Sequence, residues 1–172
     1  MTPLAWAHTL SAYNRWMNER LYTCCVDLSD EERKRDRGAF FRSIHGTLNH
    51  LLLGDRIWLG RFQGTPLEVV SLDQELHADF AELRAERERT DREIDAWIAS
   101  LTEARFAQTL RYTSIVNPAP RELPLWVAVT HFFNHQTHHR GQLTTLLVQA
   151  GIDPGVTDLI WLPDLGARTG AG

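Results

Sequence analysis

The chain has 172 residues, of which 43% are hydrophobic and 23% are charged. These proportions are typical of a soluble globular protein, and the length fits a single domain over 1–172. They exclude a disordered or low-complexity chain. The formal net charge of -4 disfavours a dedicated nucleic-acid-binding protein, because such proteins carry a basic excess. No apolar run approaches the ~20 residues that a membrane-spanning helix needs.

The first predicted helix covers residues 3–27. Thr2 is placed to cap it, and Pro3 suits an early helical position. The next segment, 29–37, carries acidic and basic residues in close alternation and is predicted to be a solvated connector.

Two further helices are predicted over 39–63 and 72–101 from apolar residues at helical spacing. Gly64-Thr65-Pro66 ends the second helix. The middle of the third helix, 82–93, is a run of charged residues that predicts an exposed helix face.

The helical pattern stops over 102–123, where residues 110–116 suit a short strand and 117–120 a turn. The fourth helix is predicted over 124–150 and ends at Gly151. The remaining residues suit an extended tail, anchored by Ile160 and Trp161. The predicted fold class is therefore all-α, a four-helix bundle with an irregular or hairpin segment before the last helix.

Eight His and two Cys mark the chain, and the two Cys are adjacent, at Cys24 and Cys25. Neighbouring Cys rarely bridge each other, so we expect no disulfide framework and interpret both as small buried residues. The N-terminal residues lack the basic-then-apolar pattern of a signal peptide, so a cytoplasmic location is expected. A metal site in this chain would be built from His and carboxylates.

The fourth predicted helix holds His131, His135, His138 and His139. His135 and His139 lie at i,i+4, about 40° apart around the helix axis. Two His at this spacing can chelate one divalent ion. His131 and His139 are ~12 Å apart along the axis, so one ion could take 131/135, 135/138 or 135/139. Gln136 follows His135, which excludes the His-Glu-x-x-His motif of zinc proteases.

A third ligand would come from another helix. His50 is favoured because helical spacing puts it on a stripe of small residues, which leaves room beside an imidazole. His45 is the alternative on the same helix, followed by His8 and His77. The small residues of the His50 stripe are Ser43, Thr47 and Gly54.

Asp55 falls within the apolar face of the second helix, so its carboxylate must be paired or hydrogen-bonded. Two interpretations stay open. Asp55 forms a structural ion pair, or it orients a ligand His or pairs with Arg140 near the site.

Three stretches of the chain together resemble the DinB-like (damage-inducible) family. They are Tyr13–Glu19, Gly38–His50 with its continuation Asp55–Leu59, and Asn134–Gln142, followed by Gly151 and Thr157–Ile160. Relatives of this family include the bacillithiol transferases and the mycothiol-dependent maleylpyruvate isomerases. The resemblance implies an up-down-down-up four-helix bundle, often dimeric, with three His around a divalent metal. By position these ligands are His50, His135 and His139.

The resemblance also implies a function. Relatives of known activity use the metal, zinc or nickel in our expectation, to hold a low-molecular-weight thiol as its thiolate. We therefore expect a metal-dependent thiol S-transferase acting on electrophilic small molecules. Arg140, or a residue of 102–123, would hold an anionic group of the thiol. The expected partners are the thiol, the electrophile and a second copy of the chain, with no nucleic acid or membrane.

Two other functions stay open at this point. The first is a non-enzymatic metal-binding stress-response protein or dimeric interaction module, in which the metal stiffens the bundle. The second is a metal-dependent hydrolase, which would use metal-bound hydroxide and need no thiol.

Overall fold

The structure is a computed structural model that describes residues 2–115 and 118–165. Four long helices form the body of the molecule: α1 (Pro3–Cys25), α3 (Ile44–Gln63), α4 (Phe80–Ser100) and α6 (Leu125–Gln149). The short helices α2 (Asp30–Lys34) and α5 (Glu103–Phe106), the strands β1 (Thr109–Thr113) and β2 (Pro120–Pro124) and a 3₁₀ turn (Leu159–Trp161) complete it. In the described part of the chain, no helix is both long and apolar enough to cross a membrane.

Helices α3 and α4 run parallel. Asp55 pairs with Arg87, and further along both helices Phe62 stacks on Trp97 at 4.3 Å between ring centroids. Two consecutive parallel helices need a connection that returns along the full helix length. Residues 64–79 form this crossover.

The contacts of α1 with α4 and of α3 with α6 are antiparallel. Ser11 of α1 bonds to Asp95 of α4, whereas Tyr22 stacks on Phe80 at the opposite end of both helices. Between α3 and α6 the corresponding pairs are His50 with His139 and Phe62 with Phe132. The helix directions are therefore up, down, down and up, which confirms the predicted all-α bundle.

Two helices begin later than their apolar patterns predict. Helix α3 begins at Ile44 instead of residue 39, because Arg42 adopts a positive φ of 66° and the Ser43 side chain caps the helix. Helix α4 begins at Phe80 instead of residue 72, because Asp79 caps it and the preceding residues run along α3. The Asn49 side chain accepts hydrogen bonds from the backbone N–H groups of residues 76 and 77. These bonds hold residues 76 and 77 of the crossover in a non-helical conformation against α3.

Segments outside the long helices also differ in detail from prediction. The solvated connector contains the one-turn helix α2, capped by Ser29. The predicted strand pairs with a second strand in an antiparallel hairpin, with Leu110 opposite Leu123. Ile160 and Trp161, predicted to anchor the tail, are 72% and 57% exposed, and the buried residues of the described tail are Pro154 and Leu162. Residues 166–172 of the predicted tail lie outside the described part.

A polar layer lies between two apolar core clusters. One cluster joins the hairpin end of α6 to α3 and α4, and the other joins the opposite ends of α1, α3 and α6. The polar layer consists of buried residues from all four long helices: Asn14, Asn18, Asp55, Arg87, Asp91, Gln136 and Arg140. At its centre the Arg87 guanidinium donates to Asp55 at 2.5 Å and to Asp91 at 2.8 Å.

The polar layer corrects the prediction that the whole charged run of α4 is an exposed face. Arg87 and Asp91 are 2% and 3% exposed. They lie on the same helix face as Leu83, Ile94 and Ile98, so the turn-by-turn spacing was present in the sequence. Because charged residues surround Arg87 and Asp91 in the sequence, this spacing did not stand out.

Candidate metal centre

Three imidazoles converge between α3 and α6. The Nε2 atom of His139 lies 3.2 Å from Nε2 of His50 and 3.1 Å from Nε2 of His135. One ring nitrogen from each of the three residues lies within 4.8 Å of the other two. The antiparallel packing of α3 and α6 places His50 opposite the i,i+4 pair on α6.

Hydrogen bonds at the outer ring nitrogens set the direction of the lone pairs. Nδ1 of His50 lies 2.8 Å from the carbonyl oxygen of Leu72, and Nδ1 of His139 lies 2.8 Å from Oε1 of Gln142. A carbonyl oxygen can only accept, so each of these Nδ1 atoms carries the proton. In the neutral rings both Nε2 atoms then present lone pairs to the shared centre.

Protonation of the cluster is unfavourable. Burial, opposed by the bond to Leu72, lowers the pKa of His50 to about 4. Burial and then the neighbouring imidazoles lower the pKa of His135 to about 3. The pKa of His139 is also lowered, chiefly by burial. At neutral pH the rings are uncharged, and lone pairs that face each other at this distance repel unless a cation lies between them.

The spacing of the nitrogens fits a first-row divalent ion. With metal–nitrogen bonds of ~2.1 Å, neighbouring ligands lie about 3.4 Å apart in tetrahedral and about 3.0 Å apart in octahedral coordination. The two measured separations, 3.2 and 3.1 Å, lie between these values. Three neutral imidazoles suit zinc, nickel and several related ions, so the ligands fit a divalent metal without selecting one.

Packing holds the rings in place. The Phe41 ring stacks on His50 at 3.7 Å between centroids and meets His139 edge-on. Gly54, one turn after His50, lies under His135, where an added Cβ would be 2.9 Å from the Cε1 atom of that ring. Close approach of α3 to the His135 ring therefore requires glycine at this position.

A cavity of about 280 Å³ opens beside the imidazoles. Its wall includes two of the three, His50 and His135. The lining also includes an aromatic and basic group of residues: Trp58, Arg61, Tyr112 and His131. A small molecule in this cavity would lie next to an ion held by the three His.

Comparison with known proteins places the chain in a family. The family model described as the DinB family matches residues 2–169. The chain belongs to the DinB family. It is 28% identical over 157 residues to Protein DinB of Bacillus subtilis (strain 168), covering 88% of this chain and 90% of that protein. A crystal structure of a DinB-like protein from Bacillus cereus ATCC 10987 is similar with a TM-score of 0.62 and 20% identity, over 82% of this chain and 91% of that one. This second likeness supports the fold alone.

The remaining His of this DinB-family protein lie outside the cluster of three. His45, the alternative third ligand, is buried but bonds through Nε2 to the carbonyl oxygen of His77. His131 lines the cavity, and the His138 ring lies 4.8 Å from that of His139. His8 is exposed at the surface of α1.

Arg140 lies away from the cavity. Its guanidinium is in the polar layer, 3% exposed, and donates to Oδ1 of Asn14. A second arginine, Arg61 at the end of α3, lines the cavity instead. Arg61 is therefore available for the anion-binding role that was predicted for Arg140. Residue 140 is one position after His139, and the rotation of the helix between them directs its side chain into the core.

Asp55 forms the structural ion pair that one of its two interpretations predicted. Its partner is Arg87, and the Gln136 amide donates to its other oxygen. Burial raises the pKa of Asp55 to about 7 although the Arg87 charge acts in the opposite direction. Burial also raises the pKa of the Cys25 thiol to about 12, which agrees with its interpretation as a core residue.

Sequence reasoning missed Phe41, Gln142 and Arg61 as parts of the site. Gln142 follows His139 by three positions on α6, so helical spacing was a usable signal for that contact. Phe41 carried no such signal, and for Arg61 only the contact with Trp58, three positions earlier, was at helical spacing, whereas Tyr112 comes from a distant segment.

Proposed function

We propose that this DinB-family protein is a divalent-metal-dependent thiol S-transferase, with zinc or nickel as the metal. The observation that carries the proposal is the convergence of lone pairs from His50, His135 and His139 beside an open cavity. A structural metal site is normally closed by four protein ligands, whereas a catalytic site keeps a position open for substrate. Three His next to a cavity match the second pattern.

The chemistry is nucleophilic substitution by sulfur. A divalent ion on these ligands lowers the pKa of a coordinating thiol, so the sulfur is present as thiolate. With its proton released to solvent, a thiol held in this way would attack an electrophilic carbon of the second substrate. A carbon–sulfur bond forms while the carbon–halogen bond breaks, and the halide leaves with the bonding electron pair.

The chain's own residues prepare this reaction. The Leu72 carbonyl and Gln142 hold two imidazoles in the tautomer that presents Nε2 inward. The rings of Trp58 and Tyr112, 5.3 Å apart between centroids and tilted by 58°, add aromatic surface to the cavity against which an electrophile can pack. Burial of His50 and His135 keeps both ligands unprotonated at neutral pH.

Metal analysis combined with a pair of His variants tests the proposal. Wild-type protein should bind about one divalent ion per chain and conjugate chlorodinitrobenzene to a low-molecular-weight thiol. His139→Ala should lose the ion and the activity while keeping its helical circular-dichroism spectrum. His138→Ala removes the neighbouring imidazole outside the cluster and should keep both.

Two outcomes would contradict the proposal. Metal-loaded protein that is inactive with glutathione, bacillithiol and mycothiol alike excludes the transferase. A His139→Ala variant that loses both the ion and the fold identifies the metal as structural.

A further inference from the structure

The guanidinium of Arg61 lies beside two aromatic rings at the cavity wall. Its central carbon lies 4.6 Å from the ring centroid of Trp58, one turn earlier on α3, and 4.6 Å from that of Tyr112 on β1. The two ring centroids are 5.3 Å apart, so both rings lie towards one side of the guanidinium and do not enclose its N–H groups. The side chain is therefore held in one place but keeps its donors available.

The charge of Arg61 has no acidic partner in the described part of the chain. Its hydrogen bond is a long one, 3.5 Å, to the carbonyl oxygen of Thr113. The neighbouring Arg111 on β1, in contrast, donates to Glu122 at 2.6 Å and is 76% exposed. A half-buried arginine without a carboxylate is costly to maintain, since burial disfavours the charged form.

The rest of the cavity adds to the positive potential. Its described lining contains the two imidazoles of the cluster, His131 and Arg61 but no Asp or Glu. The Arg61 charge also acts on His131, whose pKa is lowered by partial burial and then by this charge. A divalent ion on the three His would add two positive charges with no protein carboxylate to balance them. The cavity therefore favours an anionic ligand.

We propose that Arg61 binds the carboxylate of a small thiol whose sulfur reaches the three-histidine centre; the thiol part of this inference rests on the function proposed above. The planar guanidinium can donate two parallel hydrogen bonds to one carboxylate. The same cavity wall holds Arg61 and His135, so one ligand can contact both ends. A volume of about 280 Å³ accommodates a short ligand or one arm of a longer one.

Two thiols that differ in one end group test the proposal. Protein loaded with Co²⁺ is titrated with mercaptopropionate and with mercaptoethanol, and sulfur-to-cobalt charge-transfer absorption reports binding. Wild-type protein should bind the carboxylate thiol roughly ten- to a hundredfold more tightly than the neutral one. Arg61→Gln should abolish this difference, and Arg61→Lys should retain part of it. Arg111→Gln, one residue from Tyr112 but outside the cavity, should keep the wild-type difference.

The controls separate this inference from the proposed function. Calorimetric titration of the zinc-loaded protein with propionate measures carboxylate binding without any thiol. If neither thiol produces a charge-transfer band but propionate binds and Arg61→Gln abolishes that binding, the transferase proposal fails and the anion site stands. If wild type does not prefer the carboxylate ligand, or Arg61→Gln keeps the preference, the role of Arg61 is refuted. Melting curves of each variant establish that it is folded, and Arg61→Lys replaces Arg61→Gln if the latter is not.

Discussion

Gly54 is the position where one methyl group should separate metal binding from folding. An alanine Cβ there would lie 2.9 Å from Cε1 of His135. Carbon atoms in contact prefer about 3.5–4.0 Å, so the ring must move by roughly 0.6 Å or more. Metal–ligand distances tolerate only about 0.2 Å, so Gly54→Ala should weaken metal binding on the order of 10- to 100-fold.

The fold should survive this change, because the obstructing atom belongs to the end of a side chain and not to backbone. Replacing a helical glycine by alanine also contributes up to about 1 kcal/mol of helix propensity, which offsets part of the strain. Gly141→Ala is the matched control. Gly141 lies on α6, the helix that carries His135 and His139, and an added Cβ there would have no other atom within 4 Å.

Zinc affinity is measured by competition with a chromophoric chelator, and stability by thermal melting with and without metal. Gly141→Ala should bind zinc as wild type does and melt about 2–4 °C higher. Gly54→Ala should lose affinity with little change in the melting temperature of the metal-free protein. Wild-type affinity in Gly54→Ala would refute the conclusion that the position of His135 is required for the ion.

Further predictions concern acid, the polar layer and the outer ring of the site. Metal-free protein should lose stability as the pH falls from 6.5 towards 4, because His50 takes up a proton when unfolded but not in the fold, where its pKa is about 4. This group alone should cost roughly 2–5 kcal/mol at the lower pH, measured by urea unfolding. Arg87→Ala should destabilise the protein by about 3–5 kcal/mol, because it leaves two carboxylates buried without their cation. Gln142→Leu should weaken metal binding about 10- to 100-fold by removing the acceptor of one ligand ring.

Each of these predictions has its own control. Unfolding that does not depend on pH between 4 and 6.5 would mean that His50 is not neutral and buried in the metal-free fold. Arg84→Ala removes an exposed ion pair on the same helix as Arg87 and should change stability by less than about 0.5 kcal/mol. Gln149→Leu is the control for Gln142→Leu, because it makes the same change at an exposed position on α6. Equal metal affinities of the two variants would show that the hydrogen bond between Gln142 and His139 does not determine metal affinity.

The sequence by itself was sufficient to predict the bundle and most of the contents of the site. Helical periodicity located all four long helices, because the apolar face of each one has to be buried against the others. Local spacing reduced the His of α6 to three possible pairs that all include His135, and it placed His50 on one stripe with Gly54; the resemblance to the family selected His139. These features depend on residues within a few turns of one helix, where rise and rotation per residue are known in advance.

Only the tertiary structure decided the features that depend on distant segments. Asn49 binds the backbone of residues 76 and 77, so α4 begins after these residues and not at residue 72. Arg87 is buried because Asp55 on another helix pairs with it. Arg61 contacts the hairpin residue Tyr112, which is far from it in the sequence. In each case the energy of one side chain depends on a partner brought to it by the packing of helices. No local pattern contains that information, which is why the sequence indicates Arg140 for an anion whereas the structure buries Arg140 and places Arg61 at the cavity.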